Sequence, residues 1–166
     1  MKWIYSEGGP LLLVESRLLS EWHGSAPSQQ GDHSTDYDRA CALDGYIGVI
    51  ELPSGSAIVL GGEPLQTAVW KNTRNELTLV RWSYAESEES FLEALRHFPD
   101  DPQWDPETIE FSVGDEELVV FDSALTGEEM LESLKIRINP GRYRGRVMAW
   151  EPNETTALIV HEFRRL

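Results

Sequence analysis

Short apolar runs separated by turn-forming residues constrain this sequence more than any other feature. Each run has the length of a strand rather than of a helix, and clusters of Gly, Pro, Asn and Ser stand between the runs. No alternation of strand and helix indicates a parallel sheet. The predicted strands are Leu11–Val14, Gly45–Leu52, Ala57–Leu60, Thr67–Lys71, Leu77–Ser83, Thr108–Val113, Glu117–Asp122, Leu134–Asn139, Tyr143–Glu151 and Thr155–Arg164.

Three segments carry helical signals. Glu15–Trp22 has apolar residues at helical spacing, and a capping box that begins at Thr35 predicts a short helix over Asp36–Leu43. Glu88–Phe98 is the clearest helix, with Ser87 as its N-cap and one apolar face. With 166 residues, the chain suits a single domain, 1–166. The predicted fold class is α+β and mostly β, with antiparallel sheet(s) and two or three short helices.

Charge and cysteine content exclude several classes of protein. A net charge of −15 argues against a general nucleic-acid-binding surface and against adsorption to anionic lipid. The single cysteine, Cys41, excludes an internal disulfide framework and a cysteine-rich zinc site. No apolar run approaches the ~20 residues that span a bilayer, and no signal peptide is visible. We therefore expect a cytoplasmic protein with no membrane association.

The sequence contains no motif for catalysis, for a cofactor or for a metal. Phosphate-binding glycine loops, zinc-binding His-Glu-x-x-His and nucleophile-elbow patterns are missing. The four histidines lack partners at ligand spacing and are expected at the surface or at an edge: His23, His33, His97 and His161. Cys41 is expected to be a small buried residue, and Asp36 and Asp38 to be helix-capping residues. We predict no catalytic, cofactor-binding or metal-binding residue.

The charge distribution is strongly asymmetric. Residues 86–132 contain sixteen acids and one base, so this segment holds the whole net charge of −15, while the rest has thirteen acids and thirteen bases. Such a segment can attract a basic partner, although a solvated face kept acidic for solubility is the alternative. The predicted partner-binding residues are Glu86, Glu88, Glu89, Glu93, Asp100, Asp101, Asp105, Asp115 and Glu116.

A basic stretch without acids follows. Its arginines have a period of two, which places them on one face of a strand. If Pro140-Gly141 closes a hairpin, the bases of both strands share a face and need acids opposite them. Pairing with the acidic segment of the same molecule is the simpler interpretation, and binding to a phosphate or carboxylate site on a partner is the alternative. The residues are Lys135, Arg137, Arg142, Arg144 and Arg146.

Six blocks of the sequence form a distinctive set. The blocks are Trp3 with Glu7-Gly8-Gly9-Pro10-Leu11-Leu12, Leu18-Leu19 with Trp22, Asp36-Tyr37-Asp38-Arg39-Ala40-Cys41, Leu60-Gly61-Gly62-Glu63-Pro64-Leu65, Phe121-Asp122-Ser123 and Pro140-Gly141-Arg142-Tyr143. Together they resemble the immunity protein 21 family, the antidotes of bacterial polymorphic toxin systems. Gly62 departs from the pattern, where an acidic residue is expected, and Ser25–Ser34 resembles a variable insertion. Because antidotes to different toxins share these blocks, we interpret them as scaffold.

The resemblance implies a protein without enzyme activity that binds and neutralises a cognate toxin. The charge of the acidic segment favours a nuclease as that toxin, because a nuclease carries a basic groove for its polyanionic substrate. We expect the acidic segment to cover the active face of the toxin. Two alternatives remain, a small hydrolase using scattered carboxylates with His161 or His97, and a general protein-interaction module. The oligomeric state is left open. Aromatic anchors for a contact are Trp82, Tyr84, Phe91, Phe98 and Trp104, of which Phe91 and Phe98 are also expected in the core.

Overall fold

Two antiparallel sheets lie face to face at the centre of the protein. In the computed structural model, residues 1–27, 34–71, 77–130 and 132–166 are described. The larger sheet has six strands in the order β1-β5-β6-β11-β10-β7. These strands are β1 (Trp3–Ile4), β5 (Thr67–Val69), β6 (Leu77–Ala85), β7 (Thr108–Val113), β10 (Gly141–Asn153) and β11 (Thr156–Arg165).

The smaller sheet has five strands in the order β3-β4-β2-β8-β9. Its central strand β2 is wholly buried, as its unbroken apolar run predicts. The alternating strands turn one side to the other sheet and one side outward. The strands are β2 (Leu11–Glu15), β3 (Gly48–Leu52), β4 (Gly55–Leu60), β8 (Glu117–Asp122) and β9 (Leu134–Arg137).

The apolar side chains form three layers. The central layer joins the inner faces of the two sheets and includes Leu13, Leu79 and Phe163. A second layer covers the outer face of the five-stranded sheet, and a third covers the outer face of the six-stranded sheet. Each outer face is therefore closed by a segment of its own.

The covering segments are short helices and the loops that follow them. A 3-10 helix (Ser16–Glu21) and α1 (Asp36–Cys41) lie on the five-stranded sheet, whereas α2 (Glu88–Arg96) lies on the six-stranded sheet. Both α-helices begin with capping boxes, at Thr35 and at Ser87, which confirms both predicted caps. The 3-10 helix replaces the ordinary helix expected over Glu15–Trp22.

The predicted fold class is confirmed, and every predicted strand is present with small shifts of its ends. Strand β1 was not predicted, because two residues carry no periodicity. Tight turns join β3 to β4 at Pro53-Ser54 and β10 to β11 at Glu154-Thr155, and both pairs of strands are antiparallel neighbours. The asparagines of Asn72–Asn75 favour another turn, but that segment and most of the insertion at Ser25–Ser34 lie outside the described residues, as does His33.

The hairpin considered at Pro140-Gly141 is wrong. Strand β9 belongs to the five-stranded sheet and β10 to the six-stranded sheet, so this turn carries the chain from one sheet to the other. Lys135 and Arg137 therefore share no face with the arginines of β10. Turn-forming residues predict that the chain changes direction. They do not predict whether the two strands that flank the turn pair with each other.

Two predictions of burial are also wrong. His161 is fully buried in β11, because its inward position places it beside Leu79 and Val147 in the central layer. Cys41 is exposed, because it ends α1 on the side that does not face the sheet. In both cases, the position of the residue in its strand or helix decides its burial. The sequence-based predictions were wrong because they considered the residue type and not which face of the element the residue occupies.

Candidate partner-binding surface

The acidic residues around α2 lie over the outer face of the six-stranded sheet. Phe91 and Leu95 turn inward from α2, and residues 97–107 continue across the sheet as far as β10, where the Asp105 N–H donates to Val147 O over 2.9 Å. We name this region the α2 acidic surface. Its acids are Glu86, Glu88, Glu89, Glu93, Asp100, Asp101 and Asp105.

Glu88 and Glu93 show how acids of this surface are bound within the chain. Glu88 Oε1 accepts a hydrogen bond from the N-terminal amine of Met1 over 2.6 Å and one from Trp3 Nε1 over 3.0 Å. These donors lower the pKa of Glu88, the amine most strongly. Glu93 pairs with Arg96 one turn further along the helix. The side chains of Glu86, Glu89 and Asp101 make no hydrogen bond or ion pair with the described residues, and all three are exposed.

Asp115 and Glu116 lie apart from the α2 acidic surface. They occupy the turn after β7, the edge strand opposite β1, whereas Glu88 is bound beside β1. The Asp115 N–H donates to Glu15 Oε2 over 2.7 Å, which fastens the turn to the five-stranded sheet. The structure thus brings seven of the nine predicted partner-binding residues into one region and leaves two outside it.

Other acids of residues 86–132 stabilise the fold. Asp122 is buried and accepts the N–H groups of Glu7 and Ala124, each over 2.9 Å. Glu117 lies 3.7 Å from Lys135, across the β8–β9 pair. The acidic segment is therefore not one continuous surface, and neighbouring basic side chains of the same chain neutralise part of its charge.

The arginines of β10 form a stripe on the outer face of the six-stranded sheet. Arg142 and Arg144 both bind Glu110 of β7, over 3.0 and 2.7 Å, and hydrogen bonding by Arg144 lowers the pKa of Glu110. Arg146 and Arg164 both bind Glu162 of β11, over 2.6 and 3.0 Å. The predicted pairing with the acidic segment is found for Arg142 and Arg144, whereas Arg146 pairs with Glu162, which lies outside residues 86–132.

An aromatic layer lies beneath α2 and residues 97–107. Near β1, Trp82 stacks on Phe91 with 5.0 Å between ring centroids. At the other end, Phe98 packs against Trp70 and Trp150 with centroids 5.3 and 5.1 Å apart. Of the expected anchors, Phe91 is wholly buried, Phe98, Trp82 and Trp104 are half-buried, and Tyr84 is exposed.

A cleft of about 270 Å³ opens where this layer meets the arginine stripe. Its walls include Trp70, Phe98 and Trp104, and the guanidinium carbon of Arg146 lies 4.2 Å from the centre of the Trp104 ring. Its charged lining residues are Asp100, Asp101, Arg146, Glu162 and Arg164. Sequence reasoning missed this cleft, because β5, β10, β11 and residues 98–104 meet only in the folded chain.

The hydrolase alternative combines carboxylates with His161 or His97. The described lining of the cleft includes carboxylates, but neither of these histidines, because His161 faces the opposite side of the sheet and His97 is exposed beside Glu93. The described residues contain no cluster of three or more His, Cys, Asp or Glu that would hold a metal ion. Among the same residues, no helix has the length and apolar character needed to cross a membrane.

Residues from four of the blocks quoted from the sequence meet on the opposite outer face, whereas Trp3 packs under α2 and Pro140-Gly141-Arg142-Tyr143 leads into the six-stranded sheet. Trp22 Nε1 donates to Ser123 O over 2.9 Å, and Ser123 Oγ donates to Pro10 O over 2.6 Å. The Tyr37 ring covers Gly9 so closely that a Cβ there would lie 2.4 Å from Tyr37 Cε2. These residues, far apart along the chain, close the five-stranded sheet from outside.

Comparison with known protein families gives a match over nearly the whole chain. The sequence model of immunity protein 21 matches residues 2–156. The chain belongs to the immunity protein 21 family. Comparisons with curated proteins and with solved structures give no match. As a member of this family, the protein is an immunity protein, whose role implies binding of a toxin.

The one departure from the immunity protein 21 pattern has a local explanation. Gly62 has φ +76°, and a Cβ at this position would lie 2.7 Å from Tyr46 Cδ1. A side chain is strained in this conformation whatever its charge. In this protein, the turn after β4 therefore requires glycine.

Proposed function

We propose that this immunity protein neutralises a cognate polymorphic toxin by covering the toxin's active face with the α2 acidic surface. Family membership supports the toxin as partner. The exposed carboxylates of Glu86, Glu89 and Asp101, which are unpaired within the described residues, support α2 and its flanking segments as the contact. The single observation that carries the proposal is this concentration of unused charge on one outer face.

A nuclease is the toxin class that this surface suits best. A nuclease carries a cationic groove for its polyanionic substrate, and an acidic protein surface complements that groove. Inhibition then requires tight binding that excludes the substrate, without catalysis by the immunity protein. We place this action in the cytoplasm, where a nuclease toxin meets nucleic acid.

We propose seven of the nine residues predicted from the sequence as the contact. Asp115 and Glu116 are left out, because their turn lies beyond the opposite edge of the sheet and is bound to Glu15. Glu88 takes part with reduced charge, since the N-terminal amine neutralises it. The exposed aromatic Tyr84, 43% exposed at the end of β6, adds an apolar contact beside the acids.

The test compares two triple variants that each remove three negative charges. One is Glu86→Gln/Glu89→Gln/Asp101→Asn, and the control is Glu116→Gln/Glu128→Gln/Glu129→Gln, at exposed positions elsewhere. The inactivated toxin domain encoded beside this gene is titrated against each protein at several salt concentrations. We expect the first variant to bind more weakly and with a flatter salt dependence, because the three charges that attract the toxin, and that salt would screen, have been removed.

The control variant is expected to keep both the affinity and the salt slope of the natural sequence. Stability should change by no more than about 0.5 kcal/mol in either variant, because all six positions are exposed. Equal loss of affinity in both variants would show that net charge alone, and not the α2 acidic surface, attracts the toxin. Growth of cells that express the active toxin measures protection independently.

A further inference from the structure

A tryptophan of the two-residue strand β1 joins α2 to the six-stranded sheet. Trp3 lies on the outer face of that sheet, opposite Ala68 of β5. Its indole Nε1 donates to Glu88 Oε1 over 3.0 Å, in the first turn of α2. Its ring meets Phe91 edge-on, with centroids 5.2 Å apart. One side chain therefore contacts the helix at both a charged residue and an aromatic residue.

The aromatic contacts of Trp3 also reach the centre of the sheet. Trp82 of β6 lies edge-on to Trp3, with centroids 5.5 Å apart, and Trp82 stacks on Phe91. The three rings thus form a group with one member from β1, one from β6 and one from α2. Edge-on and offset contacts between rings are favourable and have a definite geometry. The group therefore sets the distance and the orientation of the first turn of α2 relative to the sheet.

The spacing of Glu88 and Phe91 allows Trp3 to set the rotation of α2 about its axis. Residues three apart lie on one face of a helix, so both contacts of Trp3 fall on the same face. Glu89 follows Glu88 by one residue and is turned about 100° from it around the axis. Glu89 is exposed and makes no hydrogen bond or ion pair with the described residues. The contacts that hold Glu88 consequently determine where the carboxylate of Glu89 lies.

The capping box at Ser87 has a different role. Ser87 and Ser90 accept each other's backbone N–H groups and so start the helix. Both residues belong to α2 or to its cap, so the box fixes the shape of the first turn and not its place on the sheet. The hydrogen bond from Trp3 to Glu88 comes from another element of the fold and supplies this second constraint.

We propose that Trp3 is a positioning residue for recognition of the toxin. By holding Glu88 and Phe91, it fixes the first turn of α2 so that Glu89 meets the toxin in one arrangement. The inference rests on the proposed function, in which the free carboxylates of the α2 acidic surface contact the toxin. A group that is fixed before binding loses less conformational freedom on binding, which raises affinity without a further contact.

The first test replaces single tryptophans by phenylalanine and measures binding of the inactivated toxin domain. Trp3→Phe keeps an aromatic ring beside Phe91 and removes the donor to Glu88. The matched control is Trp150→Phe, in the same aromatic layer, because the Trp150 indole donates no hydrogen bond to the described residues. We expect Trp3→Phe to bind about threefold more weakly, the cost of ordering one glutamate side chain, and Trp150→Phe to bind normally.

A double-mutant cycle separates positioning from a general loss of stability. If Trp3 acts by placing Glu89, Trp3→Phe should lose most of its effect on affinity in a protein that already carries Glu89→Gln. Combination with Glu116→Gln, which lies away from α2, is the control and should leave the effect of Trp3→Phe unchanged.

The pKa of Glu88 in the free protein gives a reading that does not depend on the toxin. The N-terminal amine and, after it, the Trp3 indole lower this pKa. Trp3→Phe should therefore raise the pKa of Glu88 part of the way to its ordinary value, as measured by NMR titration of the carboxyl group. Trp150→Phe should leave it unchanged. An unchanged pKa in Trp3→Phe would show that the indole does not hold Glu88.

The outcomes distinguish this inference from the proposed function. Normal binding by Trp3→Phe, additive losses in the cycle with Glu89→Gln, or an equal loss in Trp150→Phe overturns the positioning role and leaves the proposed function standing. Trp3 is half-buried, so Trp3→Phe is expected to fold. Normal binding by the triple variant Glu86→Gln/Glu89→Gln/Asp101→Asn, or failure of the natural sequence to bind the toxin, overturns both.

Discussion

The two outer faces of the sandwich are closed in different ways. On the five-stranded sheet, polar side chains bind backbone groups of other segments, as Asp122 binds the N–H of Glu7 and Ser123 binds the carbonyl of Pro10. On the six-stranded sheet, charged side chains pair with one another, and aromatic rings are left half-buried around a cleft. The first face joins segments of the chain, and the second presents groups at its surface.

This difference suggests how one family can oppose different toxins. Groups that bind the backbone cannot change without loss of the fold, whereas charges at a surface can change at little cost in stability. The blocks that resemble the family lie mostly on the first face, and the α2 acidic surface and the cleft lie on the second. We therefore expect scaffold and recognition to reside on opposite sides of the same sandwich.

Replacing one tryptophan on each face should give the largest contrast. Trp22 is 1% exposed and bonded to Ser123, so Trp22→Ala should lower the free energy of unfolding by about 3–5 kcal/mol. Trp104 is half-buried, so Trp104→Ala should cost only about 1–2 kcal/mol, from partial burial and the lost contact with Arg146. Urea unfolding followed by circular dichroism measures both.

Toxin affinity should reverse that order. Trp104→Ala should bind the toxin domain more weakly, while the folded fraction of Trp22→Ala, or of the milder Trp22→Phe, should bind normally. Weaker binding by folded Trp22→Phe than by Trp104→Ala would contradict this assignment and place the toxin contact on the five-stranded sheet.

A buried histidine between the sheets should make stability depend on pH without involving either outer face. Burial, and to a lesser extent Arg81, keep the pKa of His161 well below 6.5. Below pH 6.5, the unfolded chain binds a proton that the folded chain does not, so stability falls as pH falls. The slope should approach about 1.4 kcal/mol per pH unit, and unfolding measured between pH 7 and pH 5 tests it.

His161→Leu provides the control for this slope. Neither ring nitrogen of His161 has a hydrogen-bond partner among the described residues, so leucine removes no bond. The variant should have nearly constant stability over the same range. The carboxylates whose pKa is lowered, Asp38, Glu88 and Glu110, lose their contribution only at more acidic pH. A slope that persists in His161→Leu would assign the effect to another group.

The sequence was sufficient for most of the fold because its signals are local. Strand β7 begins and ends where its apolar alternation does, and the caps at Thr35 and Ser87 form within a few residues. The partners of the strands are not local. The turn at Pro140-Gly141 reads as a hairpin, yet the chain changes sheets there, because β10 pairs with β7 and β11.

The sequence predicted the negative charge of the candidate site, but not which acids lie together or that a cleft is present. Counting acids located residues 86–132, but it grouped Asp115 and Glu116 with α2 although these two residues follow β7, at the other edge of the six-stranded sheet from β1. The same counting included Asp122, whose carboxylate is committed to backbone N–H groups. The cleft depends on Trp70, Trp104 and Glu162, which come from three distant segments, and no spacing in the sequence relates them.

The smallest effects should come from the two capping boxes, which form a matched pair across the faces. Thr35 caps α1 and Ser87 caps α2, and each accepts a hydrogen bond from an N–H three residues on, over 3.0 and 3.2 Å. Thr35→Ala and Ser87→Ala should each lower stability by about 1 kcal/mol. Unfolding by urea therefore should not distinguish them.

Binding to the toxin should distinguish the two caps. Fraying of α2 in Ser87→Ala displaces Glu86 and Glu89 and breaks the contact of Glu88 with the N-terminal amine, so the affinity should fall modestly, by about twofold to fivefold for a loss near 1 kcal/mol. Fraying of α1 in Thr35→Ala disturbs only the scaffold face, and affinity should stay the same. Because the two variants are equally destabilised, a loss of affinity confined to Ser87→Ala cannot arise from stability and assigns recognition to the face that α2 covers.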